Sequence, residues 1–278
     1  MKPTVSVVIP AFNNAEYIEA TMHSVLNQTM GDFELIVADH SSTDGTAHLL
    51  HQFESDPRVT IISTPAGGGA ARNWRRVTAE ASGRYLKLVC GDDIIYPDCL
   101  ASQLSHFEDG VDMVSARRDV VDSVGRMIVR NRGLPRLIGR VVGTKAIRST
   151  VRSGTNVFGE PASVMFRRSA LETAGSWVTT ENYLIDEATY VRVLMAGDHV
   201  GIATSLGSFR VSDSQWSVRL AKTQASEAAA FHTKLAVEHP DLLSRSDVAV
   251  GNFRARVLAT GRRLVYRGLA MRTSWEKK

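Results

Sequence analysis

The sequence is poor in the features that mark specialised classes of protein. Its 278 residues include only two cysteines, Cys90 and Cys99. These are too few for a disulfide framework or a four-ligand zinc site, so both are expected to be reduced and buried. No apolar run approaches the ~20 residues of a membrane-spanning helix, and no signal sequence precedes the first strand pattern. We therefore expect a globular protein that stays in the cytoplasm.

The net excess of positive charge is confined to the C-terminal end of the chain. The formal net charge is +4, but residues 254–278 carry eight basic residues against Glu276 alone, which leaves a net −3 for everything before them. A protein whose body is slightly acidic is not a general nucleic-acid binder, so we expect no nucleic-acid partner.

The first hundred residues alternate strand-like and helix-like patterns. Strand-length apolar runs at 5–12, 33–38, 58–63 and 84–90 are separated by helical spacings at 15–28, 46–53 and 70–81. This rhythm predicts an α/β fold with a mostly parallel sheet and helices on both faces. Ligands bind such sheets beyond the carboxyl ends of the strands, which is where the most polar and glycine-rich loops of this sequence fall.

After about residue 110 the rhythm weakens. The basic stretch from 117 to 143 has no clear period and is expected to be a loop or a pair of hairpins. The pattern then predicts strands at 111–116, 162–167, 200–203 and 208–211 and helices at 169–174 and 185–196. The last sixty residues are interpreted as two helices broken near Pro240.

Two adjacent carboxylates, Asp92 and Asp93, follow the fourth predicted strand. Neighbouring carboxylates repel each other, and a divalent cation with oxygen ligands would compensate them. Mg²⁺ typically uses one or two protein carboxylates together with substrate phosphates. The alternative is a polar turn that caps the next helix.

Asp39 follows the second predicted strand. A carboxylate there can accept a hydrogen bond from the ring N–H of uracil, thymine or guanine, which adenine lacks on that edge. The alternative is that Asp39 caps the following helix, although Ser42 or Thr43 is better placed to do so.

The segment from Gly67 to Gly69 leads into a predicted helix, and the exposed backbone N–H groups of such a turn suit a phosphate. It is not a dinucleotide-binding fingerprint, because Arg72 stands where the third glycine would be. A plain flexible loop is the alternative.

Asp186 lies at the start of a predicted helix. It is either a general base for an incoming hydroxyl or an ordinary carboxylate stabilised by the helix dipole, and the spacing alone leaves both open.

Together these segments resemble the ordered motifs of family 2 glycosyltransferases with the GT-A fold. The resemblance covers roughly residues 3–212, and its segments are 7–14, 37–46, 71–73, 91–93, 159–168 and 185–192. It implies a donor half at 1–110 and an acceptor half at 111–212, followed by a C-terminal helical extension at 213–278.

The resemblance also implies an activity and a set of site residues. The activity is the inverting transfer of a sugar from a UDP-, dTDP- or GDP-sugar to a glycan, lipid-linked or small-molecule acceptor in bacterial polysaccharide biosynthesis, with Mg²⁺ or Mn²⁺ as cofactor. The donor-binding residues it implies are Pro10, Ala11, Phe12, Asn14, Asp39, Arg72 and Asp92. It further implies a metal site at Asp92 and Asp93, an acceptor-side residue at Glu160 and the catalytic base at Asp186.

Two positions depart from the family pattern. Cys90 stands where many members have a carboxylate two residues before Asp92, and Ala188 replaces a second acidic residue in the Asp186 helix. Two other functions are weighed against glycosyl transfer. One is a nucleotidyltransferase, which would need a basic glycine-rich loop after the first strand, and the other is an inactive sugar-nucleotide-binding scaffold.

The basic C-terminal segment predicts an amphipathic helix. On a helical projection from Val250, one side carries Phe253, Val257, Gly261, Leu264 and Val265 and the other carries Arg256, Arg262, Arg263 and Arg267. This helix is expected either to pack its apolar side on the catalytic domain or to contact an anionic membrane surface.

Overall fold

The computed structural model describes residues 2–180, 183–211 and 223–276, with side chains described as far as Gly261. The strands are β1 (Val5–Ala11), β2 (Phe33–Asp39), β3 (Val59–Ser63), β4 (Tyr85–Leu88), β5 (Ile94–Ile95), β6 (Val111–Val121), β7 (Met127–Arg132), β8 (Gly139–Val141), β9 (Val164–Arg167) and β10 (Asp198–Arg210). The helices are α1 (Ile18–Leu26), α2 (Thr46–His51), α3 (Gly69–Ala79), α4 (Cys99–Leu104), α5 (Gly143–Ser153), α6 (Arg168–Thr173), α7 (Ile185–Leu194), α8 (Gln224–Glu238) and α9 (Arg245–Glu276), and Pro161–Ser163 forms a 3₁₀ turn.

One mixed sheet organises the described residues. Its strand order is β3-β2-β1-β4-β9-β6-β10-β5, with β7 added to β6 and β8 added to β10. The first four strands are parallel, and β9 is antiparallel to both of its neighbours. The register aligns Ala11 with Asp39 and Asp39 with Ser63, so the parallel strands end in one row.

The sheet is covered on both faces, as the continuous apolar strands predict. Every residue of β1 is buried, because Val7 packs in one hydrophobic cluster and Val8 in the other. Met22 of α1 belongs to the first cluster and Val77 of α3 to the second. The predicted α/β architecture is therefore confirmed, with the first four strands near their expected positions.

The structure decides between two alternatives for one part of the second half and corrects the expectation for another. For the stretch from 117 to 143, the structure excludes the loop and agrees with the hairpin alternative, because β6 runs on to Val121 and returns as the antiparallel strand β7. The short strands expected at 200–203 and 208–211 are one strand, β10, whose register against β6 shifts on either side of Ser205. These irregularities expose two residues in mid-strand and interrupt the apolar pattern that the sequence presents.

The described part of helix α9 packs through small residues rather than large ones. Gly251, Ala255 and Ala259 of α9 are buried, whereas Phe253 and Val257 are 67% and 54% exposed. The expectation that the apolar side of this helix packs on the catalytic domain is therefore wrong for these two residues. The side chains of Leu264, Val265, Arg262, Arg263 and Arg267 lie outside the described residues. Within the described ranges, no helix combines the length and apolar character needed to cross a bilayer.

A pair of glycines on α9 tests this packing. A Cβ added to Gly251 would overlap the carbonyl oxygen of Val151 in α5, whereas a Cβ added to Gly261 would have nothing within 4 Å. We expect Gly251→Ala to lower the free energy of unfolding by about 1–3 kcal/mol, although alanine favours a helix by about 1 kcal/mol. Urea unfolding would measure this, with Gly261→Ala as the matched control. Equal stability of the two variants would contradict the close approach of α9 and α5.

Candidate active site

The candidate nucleoside pocket lies where β1 and β2 end. Pro10 and Ala11 are buried at the end of β1, and the Phe12 side chain is exposed. The Asn14 side chain closes the turn, because its Oδ1 accepts the Phe12 N–H at 2.8 Å. A Cβ on Gly91 would lie 2.6 Å from that same Asn14 oxygen. Only glycine therefore lets the loop after β4 approach the loop after β1 so closely.

Asp39 faces this pocket with one oxygen unsatisfied. The residue is only 5% exposed. Its Oδ2 accepts the Ser42 N–H at 3.2 Å, but its Oδ1 is buried with no hydrogen-bond partner among the described residues. A buried acceptor without a partner costs free energy unless a ligand supplies the donor, so the geometry fits a nucleobase N–H.

Neither Ser42 nor Thr43 caps the helix after Asp39, contrary to expectation. Helix α2 begins at Thr46, whose N–H and hydroxyl both bond to Asp44 Oδ1, at 3.0 and 2.6 Å. The Ser42 hydroxyl instead accepts the Asn13 N–H. Asp39 is thus free of the capping role that was its alternative assignment.

The glycine-rich segment is a left-handed turn at the N-terminus of α3. Gly67, Gly68 and Gly69 have φ values of 93°, 84° and 67°, which other residues rarely adopt. A Cβ on Gly68 would overlap the stem of Arg72, so the glycine lets that exposed side chain fold back over the turn. The arrangement brings the Arg72 side chain and the N-terminus of α3 together, which suits an anionic ligand.

The carboxylates after β4 differ in exposure. Asp93 is only 1% exposed, whereas Asp92 is half-buried. Burial and, after it, the neighbouring Asp92 raise the pKa of Asp93 well above its usual value. The Oδ2 of Asp93 is buried and has no partner among the described residues. This pair therefore fits a divalent cation, which would supply the missing charge.

Arg210, at the end of β10, holds the Asp92–Asp93 pair in place. Its backbone N–H donates to Asp93 Oδ1 at 3.2 Å, and its Nε donates to the Asp92 carbonyl oxygen at 3.1 Å. Its guanidinium lies 4.5 Å from the centre of the Tyr17 ring. The Arg210 charge opposes the rise in the pKa of Asp93 but does not cancel it.

Both carboxylate oxygens of Glu160 accept hydrogen bonds from a neighbouring arginine. Arg118 donates to both carboxylate oxygens, at 2.6 and 3.0 Å, and is nearly fully buried. Burial alone would raise the pKa of Glu160, but the Arg118 guanidinium, the charge of Arg132 and a backbone hydrogen bond together leave that pKa below its usual value. Glu160 is therefore a fixed negative charge near Asp186.

Asp186 is a carboxylate with a raised pKa at the N-terminus of α7. Burial raises the pKa of Asp186 to about 6, the backbone N–H of Glu187 opposes this rise, and the charge of Glu160 adds to it. Asn156 donates to Asp186 Oδ2 at 2.8 Å and holds the carboxylate in one orientation. A carboxylate with a pKa near 6 that is still ionised at neutral pH suits a general base.

Cys90 lies among these carboxylates. Burial raises the pKa of its thiol well above the usual value, and the charges of Asp93, Asp92, Asp186 and Glu160 raise it further. All four carboxylates therefore lie within electrostatic range of the Cys90 thiol. Among the described residues no three histidine, cysteine or acidic side chains form a metal site by themselves. The Asp92–Asp93 pair would thus hold a cation only together with oxygens of a ligand, as Mg²⁺ sites with phosphate substrates do.

Three residues that orient the site were not identified from the sequence. Arg118 lies in the stretch that shows no period, Asn156 precedes the predicted acceptor segment, and Arg210 follows an irregular strand. Buried carboxylates require cations nearby, but the chain has 33 lysines and arginines. Only the fold shows which of them are close.

The sequence matches one family over most of this site. The model of glycosyl transferase family 2 matches residues 6–175, more than half of the chain. The chain belongs to family 2 of the glycosyltransferases and is therefore an enzyme of that class.

Two relatives illustrate the match. The chain is 35% identical over 101 residues to the UDP-Glc:alpha-D-GlcNAc-diphosphoundecaprenol beta-1,3-glucosyltransferase WfgD of Escherichia coli, covering 36% of this chain and 40% of WfgD. It is 38% identical over 106 residues to the chondroitin synthase of Pasteurella multocida, covering 38% of this chain and 11% of that protein. The chain thus matches less than half of the length of either relative.

Solved structures share the fold. S. aureus TarS 1–349 in complex with UDP-GlcNAc has a TM-score of 0.68 at 16% identity, covering 89% of this chain and 69% of that one. The mannosyltransferase PcManGT of Pyrobaculum calidifontis, in complex with GDP-Man and Mn²⁺, has a TM-score of 0.64 at 18% identity, covering 99% and 84%. The likeness confirms the GT-A type of fold expected from the sequence.

Asp39→Ala tests the nucleoside pocket. Loss of the unsatisfied acceptor should weaken the binding of UDP or GDP by roughly ten- to a hundred-fold, because a hydrogen bond to a charged group contributes about 1.5–3 kcal/mol. ADP binding, weak from the start, should not change. Titration calorimetry measures both, with Asp109→Ala at an exposed position as the control. Unchanged affinity for UDP and for GDP in the Asp39→Ala variant would remove this residue from the pocket.

Proposed function

We propose that this chain is a metal-dependent, inverting glycosyltransferase that moves a sugar from a UDP-, dTDP- or GDP-sugar to a hydroxyl group of its acceptor. The observation that carries the proposal is the pairing of two unlike carboxylate sites near Cys90. One is the Asp92–Asp93 pair, in which the buried Asp93 has an unsatisfied oxygen, and the other is Asp186 with its raised pKa. The first suits a leaving diphosphate with its cation, and the second suits an incoming hydroxyl.

Donor binding is assigned to the loops after β1, β2 and β4. Pro10, Ala11, Phe12 and Asn14 would surround the nucleoside, and Asp39 would accept a nucleobase N–H. Arg72 would face the base or the diphosphate from the N-terminus of α3. UDP-GlcNAc in TarS and GDP-Man in PcManGT support a nucleotide-sugar donor.

Asp92 and Asp93 are assigned to a divalent cation, Mg²⁺ or Mn²⁺. When bound, the cation would neutralise negative charge on the leaving diphosphate. Arg210 would keep the pair in position through the Asp92 carbonyl oxygen and Asp93 Oδ1. The Mn²⁺ of PcManGT supports this assignment.

Asp186 is assigned the role of base. Held by Asn156, it would take the proton of the acceptor hydroxyl as that oxygen attacks the sugar carbon. The bond to the diphosphate oxygen breaks as the new C–O bond forms on the opposite face. Inversion follows from this single displacement.

The acceptor side is assigned to the second half of the chain, with Glu160 and its partner Arg118 beside Asp186. The division into a catalytic domain at 1–212 and a C-terminal extension at 213–278 remains part of this proposal, as does a cytoplasmic location. The lipid-linked acceptor in the name of WfgD supports an acceptor carried by a lipid, and we extend the proposal to a membrane contact of the basic C-terminal segment.

Nucleotide titration with and without metal tests the donor site. Asp92→Asn and Asp93→Asn keep the side-chain shapes but remove the negative charges, so Mg²⁺ or Mn²⁺ should no longer strengthen UDP or GDP binding. Wild type should show that strengthening, and the surface variant Asp98→Asn should behave as wild type. Metal-dependent binding that persists in both Asp92→Asn and Asp93→Asn would contradict the metal assignment. Release of nucleoside diphosphate from the sugar donor would distinguish transfer from the inactive scaffold and from the nucleotidyltransferase, which releases pyrophosphate.

Asp186→Asn tests the base. Turnover should fall by roughly 10²–10⁴ with little change in nucleotide affinity, because the variant lacks the basic carboxylate. In wild type kcat/KM should rise with pH up to about pH 6 and level off above it, since the base acts only when deprotonated. The melting temperature of the variant should equal or exceed that of wild type. Because the pKa of Asp186 is raised in the folded protein, its negative charge destabilises the fold at pH values above the usual carboxylate pKa, and the variant lacks that charge. Normal turnover, or an unchanged acid limb, would show that another group is the base.

A further inference from the structure

The turn between β6 and β7, together with β7 itself, exposes apolar and basic side chains. We call residues 122–132 the β6–β7 ribbon. The side chain of Asp122 closes its tip by accepting the N–H groups of Val124 at 3.0 Å and Arg126 at 2.8 Å. Its backbone N–H bonds to the Arg126 carbonyl oxygen, and Gly125 supplies a φ of 84°. The Val124 side chain at the apex is 64% exposed.

The composition of the ribbon is unlike that of an ordinary solvated turn. Every residue of β7 is exposed, including the apolar Met127, Ile128 and Val129. From 123 to 138 the sequence has four arginines and no acidic residue. Among the described strands, β7 pairs with β6 alone. Exposed apolar side chains interleaved with arginines on a paired strand mark an interaction surface.

Arg210 connects the ribbon to the proposed metal pair by hydrogen bonds to both. Nη1 of Arg210 donates to the carbonyl oxygens of Asp122 and Ser123, both at 3.2 Å. Its Nε and backbone N–H bond to the Asp92 carbonyl oxygen and to Asp93, as described above. A partner that binds the ribbon is therefore held at a fixed distance from the proposed donor site.

The other side of the site has an exposed apolar surface too. Helix α9 passes so close to Gly154 that a Cβ there would contact the Ala255 backbone, and two residues later Asn156 bonds to Asp186. Phe253, on this part of α9, is exposed. The ribbon and α9 are thus joined to the two carboxylate sites by short chains of contacts, the ribbon to Asp92–Asp93 and α9 to Asp186.

We propose that the β6–β7 ribbon docks on an anionic lipid bilayer and so presents the active site to the membrane surface. The ribbon's three arginines and Arg136 just after it complement anionic headgroups, and the ribbon's exposed valine, methionine and isoleucine side chains suit the boundary between headgroups and acyl chains. A dissolved polyanion would need the arginines but not the apolar side chains. The inference rests on the proposed lipid-linked acceptor, but lipid binding can be measured without turnover.

Vesicle co-sedimentation of the full chain tests the ribbon. Wild type should bind vesicles that contain phosphatidylglycerol and bind phosphatidylcholine vesicles at least ten-fold more weakly. Arg126→Gln with Arg130→Gln should weaken binding to the anionic vesicles by roughly thirty-fold, since each arginine contributes about 1 kcal/mol. Arg126→Lys with Arg130→Lys should retain that binding, because a charged surface requires the charge and not the guanidinium. Val124→Ser with Ile128→Ser should weaken it by about ten-fold or more.

Matched variants and a second readout keep these results interpretable. Arg192→Gln with Val237→Ser, exposed positions on α7 and α8, should bind as wild type. A chain ended after Gly261, which keeps the packed part of α9, should retain part of the binding. UDP or GDP should stabilise every ribbon variant against heat as it does wild type, which shows an intact donor site. If that stabilisation is absent in wild type as well, the proposed function fails while the lipid result stands by itself.

Several results would overturn the proposal. Ribbon variants that bind as wild type, a wild type that ignores lipid charge, or binding that disappears entirely with the residues after Gly261 would each do so. Loss of binding in the lysine variant would indicate recognition of a defined phosphate group rather than a charged surface. A dimer in sedimentation velocity that Val124→Ser with Ile128→Ser dissolves, with no effect on lipid, would show that the ribbon pairs with a second copy of this chain.

Discussion

Repulsion between carboxylates at one edge of the sheet is the constraint on which the site depends. Asp92, Asp93, Glu160 and Asp186 all lie near enough to Cys90 to raise the pKa of its thiol beyond the effect of burial. A group of negative charges that is largely removed from water is unfavourable unless cations or donors compensate each one. The four carboxylates differ in the cations and hydrogen-bond donors around them, and this difference separates their proposed roles.

Three residues outside the motifs produce that separation. The Arg118 guanidinium donates to both carboxylate oxygens of Glu160 and compensates its charge. Asn156 orients Asp186 without removing the rise in the pKa of Asp186. Arg210 bonds to one oxygen of Asp93 and leaves the other without a partner among the described residues. The result is a fixed charge at Glu160, a carboxylate with a raised pKa at Asp186 and an Asp92–Asp93 pair with one unsatisfied oxygen. We propose that the second is the base and that the third binds a cation together with a ligand. A neutral thiol at Cys90 keeps a fifth charge out of this group.

The sequence predicts the donor half well because its structure is largely local. Three of the first four strands, β1, β2 and β4, are short, mostly apolar runs buried almost throughout, whereas β3 at the edge of the sheet is partly exposed. Parallel strands bring the loops after them to one edge. The positions of Asp39 and of the Asp92–Asp93 pair follow from that. The acceptor half depends on contacts between distant segments, such as Arg118 with Glu160 and Arg210 with Asp93, which no periodicity encodes. Helix α9 is a second case that the sequence pattern does not predict. The apolar pattern favours burial of Phe253 and Val257, but Gly251 and Ala255 are the residues that pack closely.

The configuration of the released sugar tests the account most directly. Proton NMR can follow the first minutes of turnover of a UDP-, dTDP- or GDP-sugar with Mg²⁺ or Mn²⁺, using water or a simple glycan as acceptor. If Asp186 activates an acceptor on the face opposite to a diphosphate held at Asp92 and Asp93, the first product has the anomeric configuration opposite to that of the donor. A first product that retains the donor's configuration would contradict the single displacement on which the assignment of these carboxylates is based.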